Sequence, residues 1–341
     1  MEKMRFGRTD LEVSRSGFGA IPIMRISMEE AKNLLLTAYE GGINFYDTAR
    51  GYTGSEEKIG YALEAVRKHV IIATKSGAKD RAGLFRDLEI SLKNLRTDYI
   101  DILQLHNPQT LPDVDDPDGS YAGLGDAQRR GMVRYIGLTN HKLSVALQAA
   151  QSERYDTIQF PLSCLSSQDD LALIEECAQR DIGVIAMKAL SGGLITNAVP
   201  TFAFLRQYAG VVPIWGIQRQ QELRQFLELE AHPPQLDSAL MKVIQNDREE
   251  LAGDFCRGCG YCMPCPQEIP ISMAARIAFM LRRAPYQGYL EEHWREQMER
   301  IEACTECGEC KSKCPYELDV PNLLKKMLAD YTAFYREHAS T

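Results

Sequence analysis

Eight short apolar runs recur through the first two thirds of the chain, and stretches of helical character separate them. The runs lie at residues 17–21, 43–46, 70–74, 99–105, 133–138, 157–160, 183–187 and 211–214. Helical apolar spacing marks residues 29–40, 55–68, 83–96, 144–153, 168–180 and 220–230. Strict strand–helix alternation demands parallel strands, because each helix must carry the chain back to the end where the strand began. Eight such units predict an α/β fold of the (β/α)8 TIM barrel kind. The competing open, doubly wound sheet would normally show a glycine-rich turn after its first strand, and none is present. Ahead of the first unit, residues 3–6 and 11–13 flank the polar Gly7-Arg8-Thr9-Asp10 turn and predict a hairpin.

In such a barrel, reactive groups collect at the C-terminal ends of the strands. The run at 43–46 is followed by Asp47 and Tyr52, the run at 70–74 ends in Lys75, and IDILQL at 100–105 ends in His106. Ser55 with Glu56 and Glu57 predicts a helix start, Ser55 being the N-cap. Taken singly, each residue has a plain structural explanation: a capping Asp, a loop Tyr, a strand-end Lys, a satisfied core His. Together they place four reactive side chains on one face.

In this order and these contexts, Asp47, Tyr52, Lys75 and His106 resemble the tetrad of the aldo-keto reductase family, over roughly residues 1–230. The resemblance implies a hairpin plugging the barrel bottom, and hydride transfer between a nicotinamide and a small carbonyl or alcohol substrate. Tyr52 would be the general acid/base. A phenol of pKa about 10 is a poor proton donor at neutral pH unless its anion is stabilised. Lys75 would supply that stabilisation, Asp47 would hold Lys75, and His106 would orient the carbonyl.

The cofactor contacts follow the same resemblance. Thr139 and Asn140, in Gly137-Leu138-Thr139-Asn140, match the family segment that holds the nicotinamide carboxamide, and Gln159 matches the glutamine that shares the task. The alternative is that Asn140 and Gln159 simply bond to backbone at strand ends. Met187 stands where the family usually stacks a Tyr, and the adjacent Lys188 could meet a phosphate or an acidic substrate group. In PIWGIQRQQELRQFLE, Gly216 and Glu222 stand where a Lys and an Arg usually meet the adenosine 2′-phosphate, and Gln225-Phe226 replaces a Glu-Asn pair. Arg219 or Arg224 could compensate. Family analogy implies NADPH, the residues lean toward NADH or dual use, and the cofactor is written NAD(P)H.

Eight of the ten cysteines form two tight runs late in the chain. Cys256, Cys259, Cys262 and Cys265 read CRGCGYCMPCP; Cys304, Cys307, Cys310 and Cys314 read CTECGECKSKCP. The second is the bacterial ferredoxin pattern, and the first is the same with one residue fewer before its last Cys. The likeness continues as CPQEIPI against CPYELDV, an internal repeat. Two Zn(Cys)4 sites are the alternative, but three cysteines at spacing three followed by Cys-Pro favour iron–sulfur. The tail resembles ferredoxin-type domains with two 4Fe–4S clusters, which implies Cys256, Cys259, Cys262 and Cys314 on one and Cys304, Cys307, Cys310 and Cys265 on the other. The short gap between Cys262 and Cys265 leaves a single cluster open. Helical character at 272–283 and 291–301 predicts an all-helical ferredoxin-like domain over 251–341 after a barrel over 1–250. Aldo-keto reductases with such a tail form a subfamily that the chain resembles along its whole length. Cys164 and Cys177, in the barrel, read as buried inert thiols.

Composition sets the remaining bounds. With 45% hydrophobic and 25% charged residues the chain is ordinary for a globular protein, and a net charge of -8 argues against a nucleic-acid partner. The N-terminus lacks the apolar stretch of a signal peptide and no run approaches the about 18 apolar residues of a membrane span, so a cytoplasmic enzyme is expected. Nicotinamide moves two electrons as hydride, clusters move one, and no flavin-binding segment is recognisable. The clusters are therefore structural or serve an external electron carrier or flavoprotein. A reading from a different class is an electron-transfer or complex subunit whose barrel mainly docks a partner. Loops at 21–25, 106–120 and 190–197 are expected to set the substrate; that at 106–120 is either a solvated acidic loop or a lid.

Overall fold

The structure is a computed structural model that describes residues 1–251, 255–283 and 286–338. These form two compact units. The first joins Met1–Ala189 to Val199–Met241, and the second joins Leu190–Ala198 to the chain from Lys242 onward.

The first unit is a closed barrel of eight parallel strands preceded by an antiparallel hairpin. The hairpin pairs β1 (Lys3–Arg5) with β2 (Glu12–Ser14). The barrel strands are β3 (Gly17–Gly19), β4 (Phe45–Asp47), β5 (Ile71–Ser76), β6 (Ile100–His106), β7 (Val133–Thr139), β8 (Thr157–Pro161), β9 (Gly183–Met187) and β10 (Val211–Gly216). They run in chain order, and β10 closes the ring between β9 and β3. The helices of this unit are α1 (Met28–Glu40), α2 (Ser55–Leu63), α3 (Arg81–Asn94), α4 (Ser120–Arg129), α5 (Leu143–Gln151), α6 (Gln168–Gln179), α7 (Ala198–Arg206) and α8 (Gln220–Ala231).

The barrel interior changes character along its axis. At the hairpin end, Phe6, Leu11 and Val13 pack against Phe45, Ile71, Ile102, Ile185 and Val212 in a dry cluster. The plug is tight. A Cβ at Gly183 would lie 2.8 Å from the Phe6 ring, so this strand position has room for glycine alone. Because strand side chains alternate with period two, the interior face of β4 runs Phe45, Asp47. That of β5 runs Ile71, Ala73, Lys75, and that of β6 runs Ile102, Gln104, His106. Apolar residues fill the bottom, and the polar ones emerge together at the C-terminal ends.

Two local expectations are corrected. Ser55 is not the N-cap of α2: Gly54 occupies that position at φ +73°, where glycine is unstrained. Ser55 is the first helical residue and is buried, bonding to Thr48 Oγ1 at 2.9 Å and donating to the Ala20 carbonyl at 3.0 Å. The helix predicted over 55–68 is α-helical only to Leu63 and continues as a 3-10 segment, Glu64–His69.

All regular structure among the described residues of the second unit is helical: α9 (Ser238–Glu250, which starts in the first unit), α10 (Ile271–Ala274), α11 (Ile277–Arg283), α12 (Glu292–Glu299), α13 (Glu309–Ser312) and α14 (Val320–His338), with short 3-10 turns. The helix predicted over 272–283 is broken around Ala275 and Arg276. Ile271, Ile277, Leu281, Met298, Ile301 and Leu324 form its core. No described helix is long and apolar enough to cross a membrane.

Candidate active site

The polar end of the barrel is built around one buried ion pair. Lys75 Nζ donates to Asp47 Oδ1 at 2.8 Å, to Asp47 Oδ2 at 2.7 Å and to the Thr48 carbonyl at 2.6 Å. Both residues are nearly inaccessible, 1% exposed for Lys75 and 2% for Asp47. Burial pushes the Lys75 ammonium below the usual lysine range and the Asp47 carboxyl above its own, and each charge opposes that for the other.

Tyr52 is carried by the loop between β4 and α2, which is fixed rather than loose. Thr48 N–H donates to the Ala73 carbonyl at 2.8 Å and Arg50 N–H to the Lys75 carbonyl at 3.0 Å, extending the β4–β5 ladder past the strand end. Below the loop, Glu56 is fully buried, contrary to an ordinary first-turn acid. It accepts from Arg50, Thr74, Ser91 and Asn94. The result places the Tyr52 ring centroid 5.2 Å from Lys75 Nζ. His106 meets the same ring edge-on, centroids 5.9 Å apart at 83°. Its pKa is pushed down to about 3, first by burial and then by Lys75, so the imidazole is neutral at physiological pH. A neutral imidazole can still donate one N–H to a carbonyl oxygen.

Gln159 and Gln104 flank the pair. Their Nε2 groups approach Asp47 at 3.5 and 3.4 Å. Among the described residues, the carbonyl oxygens of both are buried without a hydrogen-bond partner. Buried acceptors are rarely left unmet, so this end of the barrel offers unspent acceptors to an incoming donor such as a carboxamide N–H2. Gln104 is absent from the sequence expectations, yet it lies two residues before His106 in an otherwise apolar buried run, and period-two spacing points to it.

The other expected cofactor residues divide. Thr139 is buried at the end of β7, its Oγ1 4.0 Å from Met187 Sδ at the end of β9. Lys188 follows at φ +56°, a left-handed conformation unusual for lysine. Asn140 is fully buried and bonds to backbone: its Nδ2 donates to the Pro108 carbonyl at 2.7 Å and its Oδ1 accepts from Lys142 N–H at 2.8 Å. It therefore anchors the start of the long loop after β6. At the end of β10, Gly216 is exposed with Pro22 alongside. Arg219 and Arg224 are exposed at and within the start of α8. Glu222 turns its carboxylate back onto the α8 N-terminus, accepting from Gln218 N–H at 2.8 Å and Arg219 N–H at 3.0 Å.

In the second unit the eight cysteines line two cavities. Cys256, Cys259, Cys262 and Cys314 line one. Cys265, Cys304, Cys307 and Cys310 line the other, with Cys262 also on its wall. Among the described residues no three Cys, His, Asp or Glu side chains converge closely enough to hold a single metal ion. The sulfurs thus ring cavities rather than points. Cys164 and Cys177 are buried in the barrel; burial raises the Cys177 thiol to about 12.

Residues 16–203, more than half of the chain, match the aldo/keto reductase family. The chain belongs to that family. This aldo/keto reductase also matches, over residues 255–319, the 4Fe-4S dicluster domain. It is similar to the uncharacterized oxidoreductase YqkF of Bacillus subtilis, 29% identical over 58% of this chain and 67% of the relative. It is likewise similar to L-galactose dehydrogenase of Arabidopsis thaliana, 29% over 59% and 69%, and to the NADH-specific methylglyoxal reductase of Escherichia coli, 28% over 69% and 80%. Among solved structures, a putative aldo-keto reductase from Pseudomonas aeruginosa aligns with a TM-score of 0.60 and 28% identity, covering 67% of this chain and 94% of that one. The aldo/keto reductase is thus an oxidoreductase with an iron–sulfur tail.

Proposed function

We propose that the chain is an NAD(P)H-dependent reductase of small carbonyl compounds, running in reverse as an alcohol dehydrogenase. The observation that carries this reading is the Asp47–Lys75 pair held against the Tyr52 ring with a neutral His106 beside it. Tyr52 gives its phenolic proton to the carbonyl oxygen as that oxygen gains negative charge. The Lys75 ammonium stabilises the phenolate left behind, and Asp47 keeps the ammonium aimed and charged. His106, neutral, donates to the same oxygen and fixes its approach. When bound, a nicotinamide supplies the hydride. Gln159 and Thr139 would hold it, and the unmet acceptor on Gln159 supports that assignment. The assignment is weaker for Asn140, whose side chain is already committed to the loop.

The cofactor is best read as NADH in preference to NADPH. Glu222 already occupies the amides of Gln218 and Arg219, and its charge repels an anionic phosphate at that helix end. The relative named NADH-specific is in keeping with this. Two 4Fe–4S clusters are proposed for the tail, held by Cys256, Cys259, Cys262 and Cys314 and by Cys265, Cys304, Cys307 and Cys310. The two cavities support that grouping. Since clusters exchange single electrons, they would serve an external carrier or flavoprotein. Thiolate ligands must be kept reduced, which suits the cytoplasm.

The test is anaerobic assay of freshly purified protein with NADH and NADPH against small aldehydes and aldoses, following nicotinamide absorbance. Turnover with at least one carbonyl, faster with NADH, is expected. Failure of both nicotinamides across the panel would overturn the reading.

A further inference from the structure

Arg276 is a buried cation whose position no expectation from the sequence covers. It lies between α10 and α11, is 8% exposed, and among the described residues has no carboxylate within ion-pair distance. Its Nη1 donates to the Gly192 carbonyl at 2.7 Å, its Nε to the Ser272 carbonyl at 3.0 Å, and its Nη2 lies 3.3 Å from Met273 Sδ. The guanidinium lies against the loop that carries Cys256 and Cys259.

The guanidinium is slotted between two turns. A Cβ at Gly258 would lie 2.9 Å from Arg276 Cζ, and one at Gly192 would lie 2.9 Å from its Nη1. Both glycines have positive φ, +61° and +69°, so each turn presents bare backbone to the cation. Gly258 belongs to the Cys256–Cys259 loop, and its N–H donates to Cys256 Sγ at 3.3 Å. Gly192 belongs to the segment Leu190–Ala198, which packs in the second unit although it directly follows β9 in the chain. Arg283 holds the same segment further on, donating to the Leu194 carbonyl at 3.0 Å while pairing with Asp247.

We propose that Arg276 is a positioning residue that couples the charge of the Cys256, Cys259, Cys262 and Cys314 site to the conformation of the segment 190–197. The proposal rests on the two-cluster reading above. A cluster held there would accept one electron from an external one-electron carrier, which is oxidised in turn, with no bond made or broken and the site more negative by one charge. Arg276 answers that charge: it is drawn toward Cys256, and its bond to the Gly192 carbonyl weakens. In return the cation favours the reduced state, since net charge and nearby donors set cluster potentials. Reciprocity requires that whatever fixes the segment also shifts the cluster equilibrium.

Full-length protein, anaerobically reconstituted, would be titrated with dithionite for Arg276→Gln, Arg276→Lys and the unsubstituted chain. Backbone hydrogen exchange over 190–197 would be read in both redox states. Arg276→Gln is expected to move the midpoint of one cluster to a more negative potential, Arg276→Lys to restore it, and exchange over 190–197 to rise on reduction in the unsubstituted chain. An unshifted potential in a cluster-containing Arg276→Gln, or identical exchange in the two states, overturns the coupling alone. Absence of any cluster signal after reconstitution overturns the two-cluster reading and this one with it.

Discussion

Lys75 places its ammonium nitrogen 2.7 and 2.8 Å from the two carboxylate oxygens of Asp47, in a part of the barrel that water scarcely reaches. Among the described residues neither charge has another ion-pair partner. The pair is therefore intolerant of losing one member, while being well suited to lend a positive field to Tyr52.

Replacing Asp47 by Ala leaves that ammonium buried and uncompensated. Loss of one partner of a buried pair costs about 3–5 kcal/mol. Asp47→Ala should lower the denaturant midpoint of the barrel accordingly, and its carbonyl reduction should fall by at least the roughly hundredfold typical of a displaced acid–base group. An unchanged midpoint would mean that the pair is not buried as described.

His106 sets a pH dependence of definite sign. Its folded pKa of about 3 lies below the ordinary histidine value, so between the two values the unfolded chain binds the extra proton. Stability from this group is complete above about pH 6.5 and falls with acidification, with a slope approaching about 1.4 kcal/mol per pH unit. Urea midpoints from pH 4 to 7 should show this slope, and His106→Gln should flatten it. The kcat/KM profile should show no histidine ionisation at neutral pH.

Glu222 should govern cofactor choice. Glu222→Gln keeps an acceptor for the amides of Gln218 and Arg219 but removes the charge. Its NADPH Kd should tighten by about tenfold, or about 1.4 kcal/mol, with the NADH Kd little changed. Equal effects on both cofactors would place Glu222 away from the 2′-phosphate.

Much of this site is legible in the sequence because strands impose period two. Asp47, Lys75 and His106 each end an apolar run whose interior face is set two and four residues earlier, and the same rule points to Gln104. What escapes is set by distant partners. Ser55 reads as an N-cap, but Gly54 takes the left-handed cap and the Ser55 hydroxyl serves Ala20 instead. Glu56 reads as a first-turn acid, yet Thr74, Ser91 and Asn94 bury it. For Asn140 the sequence leaves a cofactor contact and backbone bonding both open, and the side chain bonds to the loop after β6. Arg276 finds its partner in Gly192, far away in the chain, and no local pattern foretells that.

The cysteine grouping makes its own prediction. Cys265→Ala removes a sulfur from the cavity lined mainly by the later run, although Cys265 belongs to the earlier one. Iron content should fall toward half, and the surviving electron paramagnetic resonance signal should be the one that Cys256→Ala abolishes. Loss of the same signal in both variants would mean that each run binds its own cluster.

The most direct test of the central claim is Tyr52→Phe, assayed for carbonyl reduction with NADH while the visible spectrum is recorded. The substitution removes one hydroxyl from a half-buried ring and leaves Lys75, Asp47 and the tail untouched. A fall in kcat of at least about a hundredfold is expected, with NADH still bound and the cluster absorption unchanged. Carbonyl reduction at the unsubstituted rate would contradict it, and the proton donor would have to be sought elsewhere.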